Sequence, residues 1–254
     1  MAKHRLIAVL AMLTLVSGGL VGAAPQAAAT GLCGSPHNYF GGYTGYVTLP
    51  ASWNETPEGV SSYIVTRDGP VCANLAYDKT FSTSWIMLQS TGGQHKYAQA
   101  GFIFDGTCNR YYTEYNNGWG YGGFVRNVAF STCVAYGSQH TYRVQYIGPV
   151  GPYPPPGGSL KMFTDGLTVN SGIDPWASGW SMIPTYSGET SDLANDIPGA
   201  AWAWVDVPAM GIQSVDTGTF RPTPCYLGHA APGGPRYYAG SVACDHTYQW
   251  TDPF

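Results

Sequence analysis

Glycine and proline recur so closely along this chain that a long helix has no room to form. The 254 residues include 34 glycines and 19 prolines. Each one interrupts a helix, glycine through backbone entropy and proline through its missing donor and its ring. What remains between them is short alternating runs, punctuated by turns such as Arg67-Asp68-Gly69-Pro70 and Asp165-Gly166. Ten or more such runs at regular spacing predict an all-β fold. The expected architecture is an antiparallel two-sheet jelly-roll (concanavalin-like) sandwich with disulfides. A propeller would need a blade-length repeat, and the sequence shows none.

Alternation is clearest over 97–116, which reads as two adjacent strands. In the first, Ala98, Ala100, Phe102 and Phe104 share one face, and Tyr97, Gln99, Gly101 and Ile103 the other. The first set suits a core. The second places a glutamine beside a glycine that leaves room for something to approach. Further strands are expected over 43–49, 62–66, 71–76, 85–89, 122–130, 141–147, 159–164, 167–170, 180–187 and 200–207. Residues 62–66 and 71–76 look like a hairpin around Asp68-Gly69, and 159–164 and 167–170 like one around Asp165-Gly166. Residues 148–158 hold five prolines and four glycines and read as a loop within one domain.

The chain opens with a basic Lys3-His4-Arg5 segment, an apolar run over 6–16, and Ala27-Ala28-Ala29 before Thr30. That is the pattern of an export signal over 1–29, cleaved to leave an extracellular protein. The apolar run is shorter than the roughly 20 residues a spanning helix needs, so no membrane attachment is expected after cleavage. All six cysteines follow the signal, and in an exported chain an even number implies disulfides. Sequential pairing is expected: Cys33 with Cys72, Cys108 with Cys133, Cys225 with Cys244. The domain should cover 30–220, with a disulfide-stapled tail over 221–254 packed on it, as a monomer.

Charge narrows the partners. Loss of Lys3 and Arg5 takes the formal charge from −4 to −6, and no basic stripe suits a nucleic acid. Abundant tyrosine and tryptophan favour a neutral polymer, polypeptide or polysaccharide. Neither a His-Glu-x-x-His motif nor a Gly-x-Ser-x-Gly motif is present, and the histidines after the signal (His37, His95, His140, His229, His246) are scattered. No metal or cofactor is expected. Residues 192–196 (Asp-Leu-Ala-Asn-Asp) offer oxygens but match no calcium loop. Glutamates are few: Glu55, Glu58, Glu114 and Glu189. Gln99, Glu114, Arg143 and Gln145 would line one concave surface if their strands are neighbours.

Tyr97-Ala98-Gln99-Ala100-Gly101-Phe102, an aromatic strand with Tyr112 and Glu114, and Gly188-Glu189 downstream together resemble the secreted glutamic peptidases. These are the eqolisins of fungi and the neprosin-domain proteins of plants. The resemblance implies a jelly-roll sandwich and a Gln/Glu dyad, which would fall on Gln99 and Glu189, with Glu114 as the rival partner of Gln99. A carboxylate at Glu189 would activate water and then protonate the leaving amine. Gln99 would orient that water and donate to the oxyanion. Tyr112, Glu114, Trp119, Tyr121, Arg143 and Trp180 would line the substrate site. The chain departs from those families in its proline-rich 148–158 segment, its cysteine-stapled end and the lack of a long pro-segment. Two other functions share the scaffold. One is a lectin-like module stacking sugars on Tyr112, Trp119, Tyr121 and Trp180. The other is a glycoside hydrolase using Glu114 and Glu189.

Overall fold

The computed structural model describes residues 40–46, 57–69, 71–72, 81–90, 96–104, 106–116, 124–129, 133–148, 158–173, 182–191, 197–200, 203–213, 219–223, 227–231 and 236–251. In chain order the strands are β1 (Phe40–Tyr46), β2 (Gly59–Val65), β3 (Ser82–Ser90), β4 (Tyr97–Phe104), β5 (Asn109–Asn116), β6 (Phe124–Ala129), β7 (Gln139–Ile147), β8 (Ser159–Thr164) and β9 (Leu167–Ile173). They continue with β10 (Met182–Thr190), β11 (Gly199–Ala200), β12 (Ala203–Val207), β13 (Gly211–Gln213), β14 (Phe220–Pro222), β15 (Leu227–Ala230), β16 (Tyr237–Ala243) and β17 (His246–Thr251). No helix appears among the described residues.

Two large antiparallel sheets pack face to face. One runs β15-β1-β10-β3-β4-β5-β6 and the other β14-β13-β2-β7-β8-β9. The core between them takes alternate residues from each strand. Ile86, Leu88, Ala98, Ala100 and Phe102 come from the seven-stranded sheet, and Val60, Ile64, Tyr142, Val144, Leu160 and Met162 from the six-stranded one. This is period-two patterning acting as expected. A third sheet, β11-β12-β17-β16, packs against β1 and β10 on one side and β2 on the other. It adds Val205 and Val207 to the same core.

The topology bears on three expectations. Strand β2 pairs with β7 and β13, and Val71 and Cys72 belong to no strand, while residues 73–76 of the expected hairpin lie outside the described residues. Pairing with the distant β7 seats Val60 and Ile64 in the core. Residues 221–254, expected as a tail packed on the sandwich, supply β15 to the seven-stranded sheet and β16 and β17 to the third. The turn Asp165-Gly166 does close the β8–β9 hairpin. Both residues take positive φ, 49° and 79°, as a two-residue turn matched to strand twist demands.

Cys108 and Cys133 are bonded across a separation of 25 residues. Cys72 and Cys244 are also disulfide-bonded, and the described residues include no free cysteine. Their expected partners, Cys33 and Cys225, lie outside the described residues, as do the expected signal segment 1–29 and the 192–196 run. Cys108 precedes β5, and beside it Val134 N–H donates to the Asn109 carbonyl at 2.7 Å. The bond thus ties the β4–β5 turn to the approach to β7. Replacing both Cys108 and Cys133 with alanine should cost about 3 kcal/mol, the loop-closure entropy returned to the unfolded chain. Urea unfolding would read this as a lower midpoint, with a steeper slope because the unfolded chain without the crosslink exposes more surface.

Candidate functional site

The seven-stranded sheet has an outer face as well as a core face. On it, β4 presents Tyr97, Gln99, Gly101 and Ile103, β5 presents Tyr112 and Glu114, and β3 presents Thr83, Trp85 and Met87. This face is also buried. Phe81, Trp85, Met87, Ile103 and Tyr112 form a second apolar cluster, with Tyr43 and Tyr97 packed against it. Two polar side chains lie at its edge: Gln99 is 5% exposed and Glu114 is 4% exposed.

Register makes those two a pair. Gln99 lies directly opposite Glu114 on β5, which puts their Cβ atoms about 5 Å apart. Each is held diagonally by a tyrosine of the other's strand. Tyr97 donates its hydroxyl to Glu114 Oε1 at 2.7 Å, and Gln99 Nε2 donates to the Tyr112 hydroxyl at 2.9 Å. Long side chains reach such diagonal neighbours readily. The outcome is a carboxyl and a carboxamide side by side in an apolar setting, with fixed orientations.

Glu189 shares this sheet face at a distance. It pairs with Thr83 on β3, which pairs with Ile103 on β4. Gln99 is therefore two strands across and four residues along, roughly 17 Å at the backbone. That exceeds what one bridging water spans. The Glu189 carboxylate instead accepts from the Tyr43 hydroxyl at 2.8 Å. Tyr43 in turn meets the Trp85 ring edge-on at 6.0 Å. Trp85 lies on the diagonal between Glu189 and Gln99, and its buried indole Nε1 has no acceptor. The structure thus brings Gln99 to Glu114 and not to Glu189. The same register separates Glu114 from Glu189 by roughly 20 Å, too far for a glycosidase carboxylate pair.

Other expected residues separate too. Arg143 and Gln145 are bonded to each other at 3.3 Å on the outer face of β7, where Arg143 packs over the Phe220 ring at 4.9 Å. That is the far side of the sandwich from Gln99. Alternation assigns a residue to a face but does not say to which sheet. Tyr112 is 1% exposed and bonded to Gln99, so it offers no platform for a sugar. Trp119, Tyr121 and Trp180 lie outside the described residues.

Gly101 has a different role from the one its sequence position suggested. A Cβ there would collide with the Ser84 carbonyl oxygen and come 2.7 Å from Trp85 Cα. The missing side chain lets β3 and β4 approach, and the space belongs to the neighbouring backbone rather than to a ligand. Gly101→Ala should force the strands apart at a cost of about 3 kcal/mol. The check is chemical unfolding, in which an unchanged midpoint would contradict the close approach.

No protein-family model matches the chain, and no curated protein does. Among solved structures, it is similar to SCP-B, described as a member of the eqolisin family of peptidases in a complex with the tripeptide Ala-Ile-His. The resemblance is a distant one. Identity is 12% and the TM-score 0.46, over 85% of this chain and 98% of that one.

Proposed function

We propose that the protein is an exported, acid-acting peptidase in which Glu114 and Gln99 form the water-activating pair. The observation that supports this reading is their direct cross-strand pairing on a buried face, each oriented by a tyrosine. A carboxylate at Glu114 takes a proton from water, and the water oxygen attacks the scissile carbonyl. Gln99 has two amide hydrogens, one engaged by Tyr112. The second is suited to donate to the developing oxyanion, and a desolvated setting strengthens that interaction. The proton held by Glu114 then passes to the leaving amine. Neither a nucleophilic serine nor a metal enters this sequence of steps.

Glu189 takes a separate role in this scheme. An extended peptide advances about 3.3 Å per residue, so a carboxylate roughly 20 Å from Glu114 meets the substrate several residues from the cleavage point. There it binds rather than cleaves. Tyr43 and Tyr97, the half-buried members of the apolar cluster, flank the two carboxylates. Carboxylate bases have a reference pKa of about 4.3 and work best in acid. The test is cleavage of a denatured, unlabelled protein across the acid range. Cleavage confined to acid pH supports the reading, and no cleavage at any acid pH overturns it.

A further inference from the structure

A second cluster lies where β5 meets β7 and the β8–β9 hairpin, on the opposite face of the seven-stranded sheet from Gln99 and Glu114. His140 begins the core-facing row of β7, and Ser138 precedes it by two residues on the same side. His140 Nε2 stands 2.8 Å from Ser138 Oγ, and His140 Nδ1 stands 2.7 Å from Asp165 Oδ2. The other Asp165 oxygen accepts the Thr141 backbone N–H at 2.9 Å, which fixes the carboxylate at the tip of the β8–β9 hairpin. Tyr111 packs its ring edge against the imidazole at 5.1 Å and places its hydroxyl 2.9 Å from Nδ1. The site opens to solvent, with the side chains of His140 and Asp165 18% and 44% exposed.

From this geometry we infer that Ser138, His140 and Asp165 form a hydrolytic triad that cleaves small, activated carboxylic esters. The roles follow from chemistry. A carboxylate on Nδ1 holds the tautomer whose Nε2 is a base, and the serine hydroxyl lies within reach of that base. Ser138 Oγ attacks the ester carbonyl carbon while its proton moves to His140 Nε2. The tetrahedral oxyanion collapses, the C–O bond to the leaving alcohol breaks, and His140 returns the proton to that alcohol. Water then adds to the acyl-serine with His140 taking its proton, and the acid leaves as the proton returns to Ser138. Asp165 is a positioning residue throughout.

The surroundings limit the substrate. The nearby backbone donors are engaged: Gly137 N–H with the Thr66 carbonyl and Ser138 N–H with the Ala135 carbonyl. The nearby positive group is Arg67, whose guanidinium stacks over Tyr136 at 5.2 Å and flanks Gly137. Stabilisation of an oxyanion by one cation, without a backbone hole, suits an ester with a good leaving group and not an amide. The Ser138 hydroxyl also has a competing acceptor, the Ala135 carbonyl at 2.5 Å, so attack requires its proton to turn toward His140.

The experiment uses the full-length protein near neutral pH with a fluorophosphonate probe and p-nitrophenyl acetate. A covalent adduct mapped by mass spectrometry to Ser138, absent in His140→Gln, is expected. Ser138→Ala should lower ester turnover at least 100-fold. Asp165→Asn keeps a residue that tolerates positive φ, so the hairpin persists. It should lower kcat with KM unchanged, which a structural role alone would not do. An adduct elsewhere only, no adduct at all, or equal turnover in Ser138→Ala overturns the inference. Ester turnover near neutral pH also separates this site from the acid-acting pair.

Discussion

Glu114→Gln should abolish acid cleavage of a denatured protein, lowering kcat by about 10²–10⁴-fold. The change removes the base and leaves most else in place. A glutamine keeps a carbonyl oxygen for the Tyr97 hydroxyl, so the 2.7 Å contact survives and the fold should be undisturbed by circular dichroism. Gln99→Ala removes the oxyanion donor and should cost about 10²–10³-fold in kcat. It also deprives the Tyr112 hydroxyl of its donor, so its stability should be measured alongside. Glu189→Gln separates the two possible pairings. With Glu114 as base, this variant raises KM and leaves kcat near wild type, the signature of lost uniform binding. If Glu189→Gln instead abolishes turnover while Glu114→Gln retains it, the base is Glu189 and Gln99, two strands across and four residues along, is not its partner.

What the sequence made legible follows from how local each determinant is. The faces of 97–104 could be read directly, because alternation is a property of one strand. Ala98, Ala100, Phe102 and Phe104 are all buried as expected. The Asp165-Gly166 hairpin was legible for the same reason, since two residues alone set its turn. Register between distant strands is not local. Glu189 reaches its row through β10–β3–β4 pairing across nearly a hundred residues, and no nearby signal fixes which row it joins. Glu114 is within one hairpin of Gln99, so it stands as the rival partner from the sequence alone, and the β4–β5 register pairs the two. The Ser138-x-His140 spacing was visible, but Asp165 joins it only because β8 returns alongside β7. A histidine that looks isolated along the chain can thus meet its partners in space. The third sheet escaped for another reason: β17 alternates fully, but its buried face carries Thr247, Gln249 and Thr251 while Tyr248 and Trp250 lie on the more open one, so hydrophobicity does not mark its core face.

Glu58→Gln should make the protein more stable than wild type at alkaline pH and close to it at acid pH. Glu58 stands just before β2 in the row of Val60 and Ile64, so its side chain points into the sandwich. It is 3% exposed, and neither carboxyl oxygen has a hydrogen-bond partner. Burial pushes its pKa up from 4.5 to about 7, because the charged form loses its hydration without gaining a partner. The same carboxyl helps to raise the pKa of the Tyr146 hydroxyl, after the burial of that ring. The sign follows from proton counts. Between about 4.5 and 7 the folded carboxyl keeps a proton that the unfolded chain has released, so stability falls as pH rises through that window. Below it both states are protonated, and above it both are charged, so the loss levels off. The full loss is on the order of 3 kcal/mol, each pKa unit being worth about 1.4 kcal/mol. A glutamine of the same shape carries no such charge. The difference in unfolding free energy between Glu58→Gln and wild type should therefore grow by about 3 kcal/mol from pH 4 to pH 8, whereas the other carboxylates titrate equally in both proteins and cancel. A difference that stays flat with pH would mean that the Glu58 carboxyl is hydrated or paired in the folded protein.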